Sequence, residues 1–290
     1  MADNNQITNA FVIKWDTAVK ATAQQTESRL MPTVIDKGNI EGESFTHNHM
    51  GDIELDANTD RLGDTVWSAI AHGTPIAAMQ DFYKALPLDR ADIPKMLINP
   101  VTGGDYMRQL MNGKNRKMDA IIYNRLFADQ PQKDGTTLAL PVGQKILAGG
   151  QGMTKAKIIT ALKIHRRNEN DAHAGEELCM LYDDAILEDI LADVTLTSAD
   201  FMAVKMLQEG GIGGKWLGHN WIPYNELDVS GTERTTGSYS KSAIKFGTGY
   251  VEGNVTRRGD KKDAWQVSVA ASFGGLRTEY KRVVEIAFEQ

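Results

Sequence analysis

Apolar residues recur at helical spacing in some stretches of the chain and at period two in others, so helices and strands are mixed. Residues 104–129 carry the clearest helical signal. Met107, Leu110, Met111, Met118, Ile121, Ile122 and Leu126 fall on one broad face, with Arg108, Lys114, Arg116 and Arg125 elsewhere. This methionine-rich stripe reads as core packing. A second helix is expected from a Thr154 cap to about Asn168, with Ile158, Ile159 and Leu162 turned inward. Residues 178–182 read as a short buried strand, after which Asp183 and Asp184 open a helix carrying Ile186, Leu187, Ile190 and Leu191. Thr197-Ser198-Ala199-Asp200 has the form of a capping box before a helix over 201–207, which Gly210-Gly211 end. Residues 9–30 are expected to be helical, with Phe11, Val12, Trp15 and Val19 near helical spacing and Pro32 stopping the run.

A short helix is expected at 76–83 and a strand at 137–142. Strands and turns dominate from Trp216 onward. Residues 264–272 and 281–288 alternate, and Gly274-Gly275 suggests a turn between them. No βαβ rhythm joins these elements, so the expected class is α+β.

The long polar stretch over residues 38–66 has no helical period, yet Asp52-Ile53-Glu54-Leu55-Asp56-Ala57 alternates cleanly. A compact domain rarely carries so long a connection unless it is functional or projects outward. The alternation, flanked by Gly42 and Gly51, predicts a projecting two-stranded ribbon. An isolated hairpin is marginal in water, so this ribbon needs a surface to lie on. Other copies of the same protein are the expected surface.

The 290 residues suffice for one large domain or two interleaved ones. Lys and Arg number 32 against 38 Asp and Glu, a net charge of -6, which argues against a dedicated nucleic-acid binder while leaving room for local basic patches. Cys179 stands alone, so neither an internal disulfide nor a four-cysteine metal site can form. No secretory signal and no bilayer-length apolar stretch is visible, and a soluble protein folding in a reducing cytoplasm is expected.

The candidate chemistry is sparse. The glycines at 149–152 before Thr154-Lys155 lack the Gly-Lys-Ser/Thr close of a phosphate loop, and Gly210–Gly214 with Lys215 fails in the same way. His47 and His49 would share a face of a strand and offer two imidazoles, with His72 the nearest third ligand for a catalytic zinc; exposed ribbon histidines are the better reading. Asp183 with Asp184, and Glu41 with Glu43, read as a helix cap and a solvated ribbon rather than acid–base pairs. Ser44 has no nucleophile-elbow context. No catalytic residue, cofactor or metal site is assigned, and the chain reads as a non-enzyme.

Several blocks, in order, resemble the major capsid proteins of tailed bacteriophages, with the Hong Kong 97 (Johnson) fold. They are Gly42-Glu43-Ser44-Phe45 with Arg61 and Asp64-Thr65; Leu88-Asp89-Arg90-Ala91-Asp92 through Asn99-Pro100 to Asp119-Ala120-Ile121-Ile122; and Leu140-Pro141-Val142-Gly143-Gln144 with Thr154-Lys155-Ala156-Lys157-Ile158. Beyond these stand Asp200-Phe201, Gly210-Gly211-Ile212, Gly218-His219-Asn220-Trp221, Asp260-Lys261-Lys262, Ala271-Ser272-Phe273-Gly274-Gly275-Leu276-Arg277 and Val283-Val284-Glu285-Ile286.

The resemblance implies an α+β capsid fold with an N-terminal arm over 1–37 and an extended β-ribbon loop over 38–66. It further implies a peripheral domain over 67–149 with a spine helix at 104–129, an axial domain over 150–253, and strands over 254–290 returning to the peripheral domain. Self-assembly contacts are then expected from Phe11, Val12 and Trp15 on the arm and from Phe45, Ile53, Leu55 and Arg61 on the loop. Identical subunits in hexamers and pentamers would form an icosahedral shell in the virion, assembled in the bacterial cytoplasm. A portal protein, a separate scaffolding protein, packaged double-stranded DNA held without base reading, and a decoration protein are the further partners implied, with no membrane. Some relatives cross-link neighbours through a loop lysine, but residues 38–66 contain none, so that chainmail is not expected. The competing readings are an encapsulin-like bacterial compartment shell and, remotely, a soluble metal-dependent hydrolase.

Overall fold

Two sheets and one long helix divide the chain, and most of their pairings join segments far apart in sequence. The computed structural model describes residues 24–55, 57, 64, 67–92, 104–192, 212 and 215–290. The helix expected over 201–207 therefore lies outside the described residues, as does the 9–23 part of the helix expected over 9–30, together with Phe11, Val12, Trp15 and Arg61.

The first strands are β1 (Ile35–Asn39), β2 (Ser44–Thr46), β3 (His49–Met50), β4 (His72–Gly73), β5 (Ile76–Ala78) and β6 (Gln80–Leu88). Helix α1 (Asp105–Phe127) follows, then β7 (Gln130–Pro131), β8 (Thr137–Leu138) and β9 (Lys145–Ile146). Next come α2 (Lys155–Arg167), β10 (Leu178–Tyr182), α3 (Asp184–Ala192), β11 (Lys215–Trp216), β12 (His219–Pro223) and β13 (Asp228–Ser230). The chain closes with β14 (Glu233–Ser240), β15 (Ile244–Arg258), β16 (Ala264–Arg277) and β17 (Val283–Glu289).

The four-stranded sheet runs β1-β15-β16-β6, with β15 and β16 pairing antiparallel as a long hairpin. Helix α1 lies across it, packing Leu110 on Val267 and Val269. The larger, seven-stranded sheet runs β11-β12-β10-β14-β17-β9, with β13 added on β14. Its core gathers Ile122 and Leu126 of α1, Ile158 of α2, Met180, Ile186, Tyr239, Ile286 and Phe288, all fully buried. Thus β16 lies against α1, whereas β17 is inserted between β14 and β9 in the larger sheet.

Elements with strong local signals stand where the pattern puts them. Helix α1 departs by only one or two residues at each end, α2 starts after its Thr154 cap, and β10 spans the expected buried run. The expected helix at 76–83 is wrong: this segment is strand, pairing through β5 with β2 and through β6 with β16. Tertiary pairing outweighs a weak local propensity here, and Pro87 is tolerated because β6 is an edge strand.

The turn expected at Gly274-Gly275 is also absent; both glycines lie inside β16, opposite Gly247 and Phe246. A Cβ on Gly274 would come within 2.7 Å of the Met79 sulfur, so the glycine buys close approach to the ribbon base rather than a bend. Of the strand expected at 137–142, only Thr137–Leu138 forms, and residues 24–30 form no helix.

Candidate assembly surfaces

The ribbon exists, with a return arm later than the pattern suggested. β2 pairs with β5 and β3 with β4, so the second arm is 72–78; Gly51 N donates to Ala71 O at 2.8 Å just beyond, and residues 52–55 form no strand. At its base, Phe45 is buried with Ala77 and Leu276 against Ile40 and Met79. At its outer end, Met50 is 69% exposed, Ile53 58%, Leu55 99% and Trp67 91%. Of the expected loop contacts, Phe45 thus fastens the ribbon to its own subunit, while Ile53 and Leu55 stand open.

The outer end touches its own body through polar groups. Lys281 Nζ donates to Asp52, which holds that carboxyl below the usual range through the hydrogen bond and the lysine's charge. Asp52, Ile53 and Glu54 line one side of a hollow of about 710 Å³, faced by Arg167, Glu169, Lys281 and Arg282.

The ribbon histidines do not converge. Lys245 Nζ lies 2.9 Å from His47 Nδ1, and burial and this lysine hold His47 below the usual imidazole range. His49 packs its ring over Gly73. His72 is opposite Met50, whereas His49 is opposite Gly73, so His72 points to the other face of the ribbon. Among the described residues no group of three or more His, Cys, Asp and Glu side chains could hold a metal ion.

The other sequence candidates also have structural roles. Buried Asp183 accepts from Ile186 N at 2.9 Å as the cap of α3 and from Arg234 Nη1 at 2.6 Å, while Asp184 is exposed. At the glycine-rich turn, Asp189 accepts from Met153 N at 2.6 Å, so a carboxylate already occupies that amide. Lys157 turns inward to donate to the carbonyls of Ala148, Gln151 and Ala287. Glu41, Glu43 and Ser44 are exposed.

Two buried ionic groups escape the sequence pattern. Asp119, inside the apolar face of α1, accepts from Gln25 Nε2, Ser28 Oγ, Arg29 N and Leu30 N, so the helix grips the segment that leads back to the N terminus. The one available signal was a carboxylate set between Met118 and Ile121. Arg277 donates Nη1 to the carbonyls of Leu126 and Ala128 and Nη2 to Leu138 O, closing the C-terminal end of α1.

A third surface lies between α1 and the four-stranded sheet. It is a groove of about 430 Å³, floored by Phe82, Leu86, Leu110, Val269 and Phe273 and edged by Lys84, Lys114, Arg116 and Lys117. Lys117 Nζ stands 5.0 Å above the Phe82 ring. Gln24, the first described residue, bonds Gln109 and Arg116 at this edge. Among the described residues no helix is long and apolar enough to cross a membrane.

A family profile described as "Phage capsid protein" matches residues 7–290. The search of curated proteins gives no match. The fold is similar to the capsid of Helicobacter pylori bacteriophage KHP30, at TM-score 0.72 and 11% identity, covering 100% of this chain and 99% of that one. Cyanophage Pam1 capsid is similar at TM-score 0.71 and 11% identity, with 100% and 99% covered. The capsid of cyanophage P-SCSP1u is similar at TM-score 0.70 and 13% identity, with 97% and 93% covered. At such identities the likeness establishes the fold, and the expected α+β capsid architecture is the observed one.

Proposed function

The chain belongs to the phage capsid protein family, and from that premise we propose that it is the subunit of an icosahedral phage shell closed through hexamers and pentamers around double-stranded DNA. The observation that carries this reading is the ribbon: anchored by Phe45 at its base, it leaves Met50, Ile53, Leu55 and Trp67 uncovered at its outer end. Several large apolar side chains left exposed along one projecting segment point to an interaction site. Identical copies are the natural cover, because ring-like contacts between like subunits close into symmetric shells.

In this reading the arm over 1–37 and the loop over 38–66, with its return strand through 78, make contacts between subunits. Helix α1 is the spine of the peripheral region, and 150–253 contributes the axial region. Family and fold are those of a structural protein, and no catalytic role is assigned. Assembly takes place in the host cytoplasm and the product is the virion. DNA meets the inner wall through local Lys and Arg without base reading, and portal, scaffolding and decoration proteins complete the particle.

Electron microscopy of the protein expressed alone and with its neighbouring genes tests the reading. Closed shells, hexamers or pentamers support it; a monodisperse monomer under every condition refutes it. Denaturing gels of mature particles should give a single monomer band, since residues 38–66 contain no lysine for cross-linking.

A further inference from the structure

The four-stranded sheet ends on two edges of different character. On β6, Asp81, Lys84 and Pro87 supply the charges and the proline that keep an edge from pairing. On the other side β1 covers β15 only as far as Thr248, whose carbonyl accepts from Ile40 N at 2.8 Å before the chain leaves for the ribbon. Residues 250–258 of β15 are all exposed, and among the described residues no strand pairs with their outer side. Pairing with β16 is regular from Val251 opposite Ala271 to Arg258 opposite Ala264, so the strand is fully formed to its end. Tyr250, Val251, Val255 and Thr256 favour strands, and the stretch holds neither Lys nor Pro. An exposed edge of this length is a template for another strand.

This edge is complementary to itself in reverse. Alternate residues of a strand point their amides to opposite sides. Two copies of β15 can therefore pair antiparallel only about a two-fold axis that passes through a residue, not between two. With the axis on Val255, Glu252 of one copy stands opposite Arg258 of the other, and symmetry makes this pair twice. Axes on Gly253, Asn254 or Thr256 put Glu252 opposite Asn254, Thr256 or Asp260, which gives no charge match or a repulsion. Among the described residues Glu252 has no ion pair within its own subunit, while Arg258 is 45% exposed beside Asp260. Val255, also 45% exposed, meets its own copy on the axis.

We propose that two copies of the chain join at the outer edges of β15 about a two-fold axis through Val255, extending two four-stranded sheets into one. This rests on the shell reading and adds a contact of another kind. Contacts around a ring run head to tail, whereas this one uses the same patch on both copies and links a copy in one ring to a copy in the next. The axis is perpendicular to the sheet. Met107 of α1 lies 3.0 Å from where a Gly253 side chain would begin, so α1 stands on the same face of the joined sheet in both copies. Inner and outer faces of a shell thus stay continuous across the join. Seven paired residues span about 23 Å, and so narrow a contact falls below the size of a stable pairwise interface. It forms in closed particles and not between free subunits.

A single cysteine tests the contact. In Val255→Cys the two thiols face each other across the axis at a separation that a disulfide can bridge, and buried Cys179 takes no part. Oxidised in assembled particles, this variant should run on a non-reducing gel as a dimer and never as a ladder. The dimer should be about tenfold more abundant than from Tyr250→Cys, whose thiols would stand about 33 Å apart along the joined strands. Assembled particles in which Val255→Cys stays monomeric, or in which both variants dimerise equally, overturn the contact and leave the shell reading standing. A link from Val255→Cys to Trp15→Cys in place of the dimer also overturns it, giving the edge to the segment before Gln24. If the wild type never assembles, the shell reading itself fails, and the contact with it. Charge exchange gives a second measurement. Glu252→Arg and Arg258→Glu should each raise the protein concentration needed for assembly about tenfold by setting like charges opposite each other, and the double variant should restore it. A double variant no better than either single one overturns the pairing.

Discussion

Lowering the pH from 7 to 5 should remove about 4 kcal/mol of stability through two buried histidines alone. His165 and His219 are fully buried beneath the larger sheet, with ring centroids 6.3 Å apart. His165 Nδ1 accepts from Asn170 at 2.9 Å, so Nε2 carries the proton and donates to Ser238 Oγ at 2.9 Å. His219 Nδ1 donates to Leu217 O at 2.9 Å, and its Nε2 is buried with no partner. A second proton on His219 Nε2 would meet no acceptor, and one on His165 Nδ1 would displace the bond from Asn170. Burial lowers His165 to about 3, assisted by the charge His219 would carry, and burial lowers His219 to about 4.

The unfolded chain takes up both protons near 6.5, the folded one only near 3 to 4. Between these values the unfolded state binds more protons, so stability is fully present above about pH 6.5 and falls as the pH drops through that window. At pH 5, about 1.5 units below the unfolded value, each histidine costs about 2 kcal/mol. Urea unfolding of the unassembled subunit at pH 7 and pH 5 measures the sum. His165→Gln with His219→Gln keeps neutral polar groups in place and should reduce the pH 7-to-5 loss by that amount, the carboxylates contributing equally in both proteins. A double variant that loses as much stability as the wild type refutes the reasoning.

Replacing Arg277 by Met should cost about 3 kcal/mol or more in urea unfolding, because three carbonyls at the end of α1 lose a charged donor in a buried place. Asp119→Ala orphans the buried amide of Leu30 and the part-buried amide of Arg29; a loss of about 3 kcal/mol, with faster proteolysis within 24–30, is expected. Gly237→Ala puts a methyl 2.6 Å from the Phe127 ring beneath β14 and should cost about 1–3 kcal/mol by overpacking, seen as a lower thermal midpoint.

What the sequence revealed was local. The stripe from Met107 to Leu126, the Thr154 cap and the apolar run at 178–182 carry their own period or cap, and each element lies close to where those signals put it. Residues 76–83 carry no comparable signal, and their strand character comes from β16, nearly two hundred residues later in the chain. Gly274-Gly275 has the composition of a turn, yet its meaning depends on Met79 and Phe45, which approach it only in the folded chain. The groove was illegible for the same reason. Lys84 and Lys114 belong to different elements, and nothing in their spacing says that they edge one apolar floor. The ribbon was only partly legible: its strands form at 44–50 and 72–78, on either side of the alternating run, of which residues 52–55 form no strand and Asp56 lies outside the described residues, while part of the return arm was hidden behind an expected helix.

The ribbon divides its apolar residues between two tasks, and the magnitudes say why assembly should be collective. Burying Phe45 stabilises each subunit by about 2 kcal/mol whether or not a neighbour is present. Met50, Ile53, Leu55 and Trp67 contribute nothing comparable until something covers them. Fully covered, four such side chains would contribute on the order of 6–12 kcal/mol before ordering costs. Association of two bodies and immobilisation of a projecting segment cost about 4–15 kcal/mol. The two ranges nearly cancel, so one ribbon on one neighbour gives at best a weak pair. In a ring, each added subunit receives one ribbon and donates another, and the closing subunit makes both contacts while losing its freedom only once. Isolated dimers should therefore be scarce at concentrations where closed rings already form, and a stable, abundant dimer would mean that the uncovered residues serve a single symmetric contact instead.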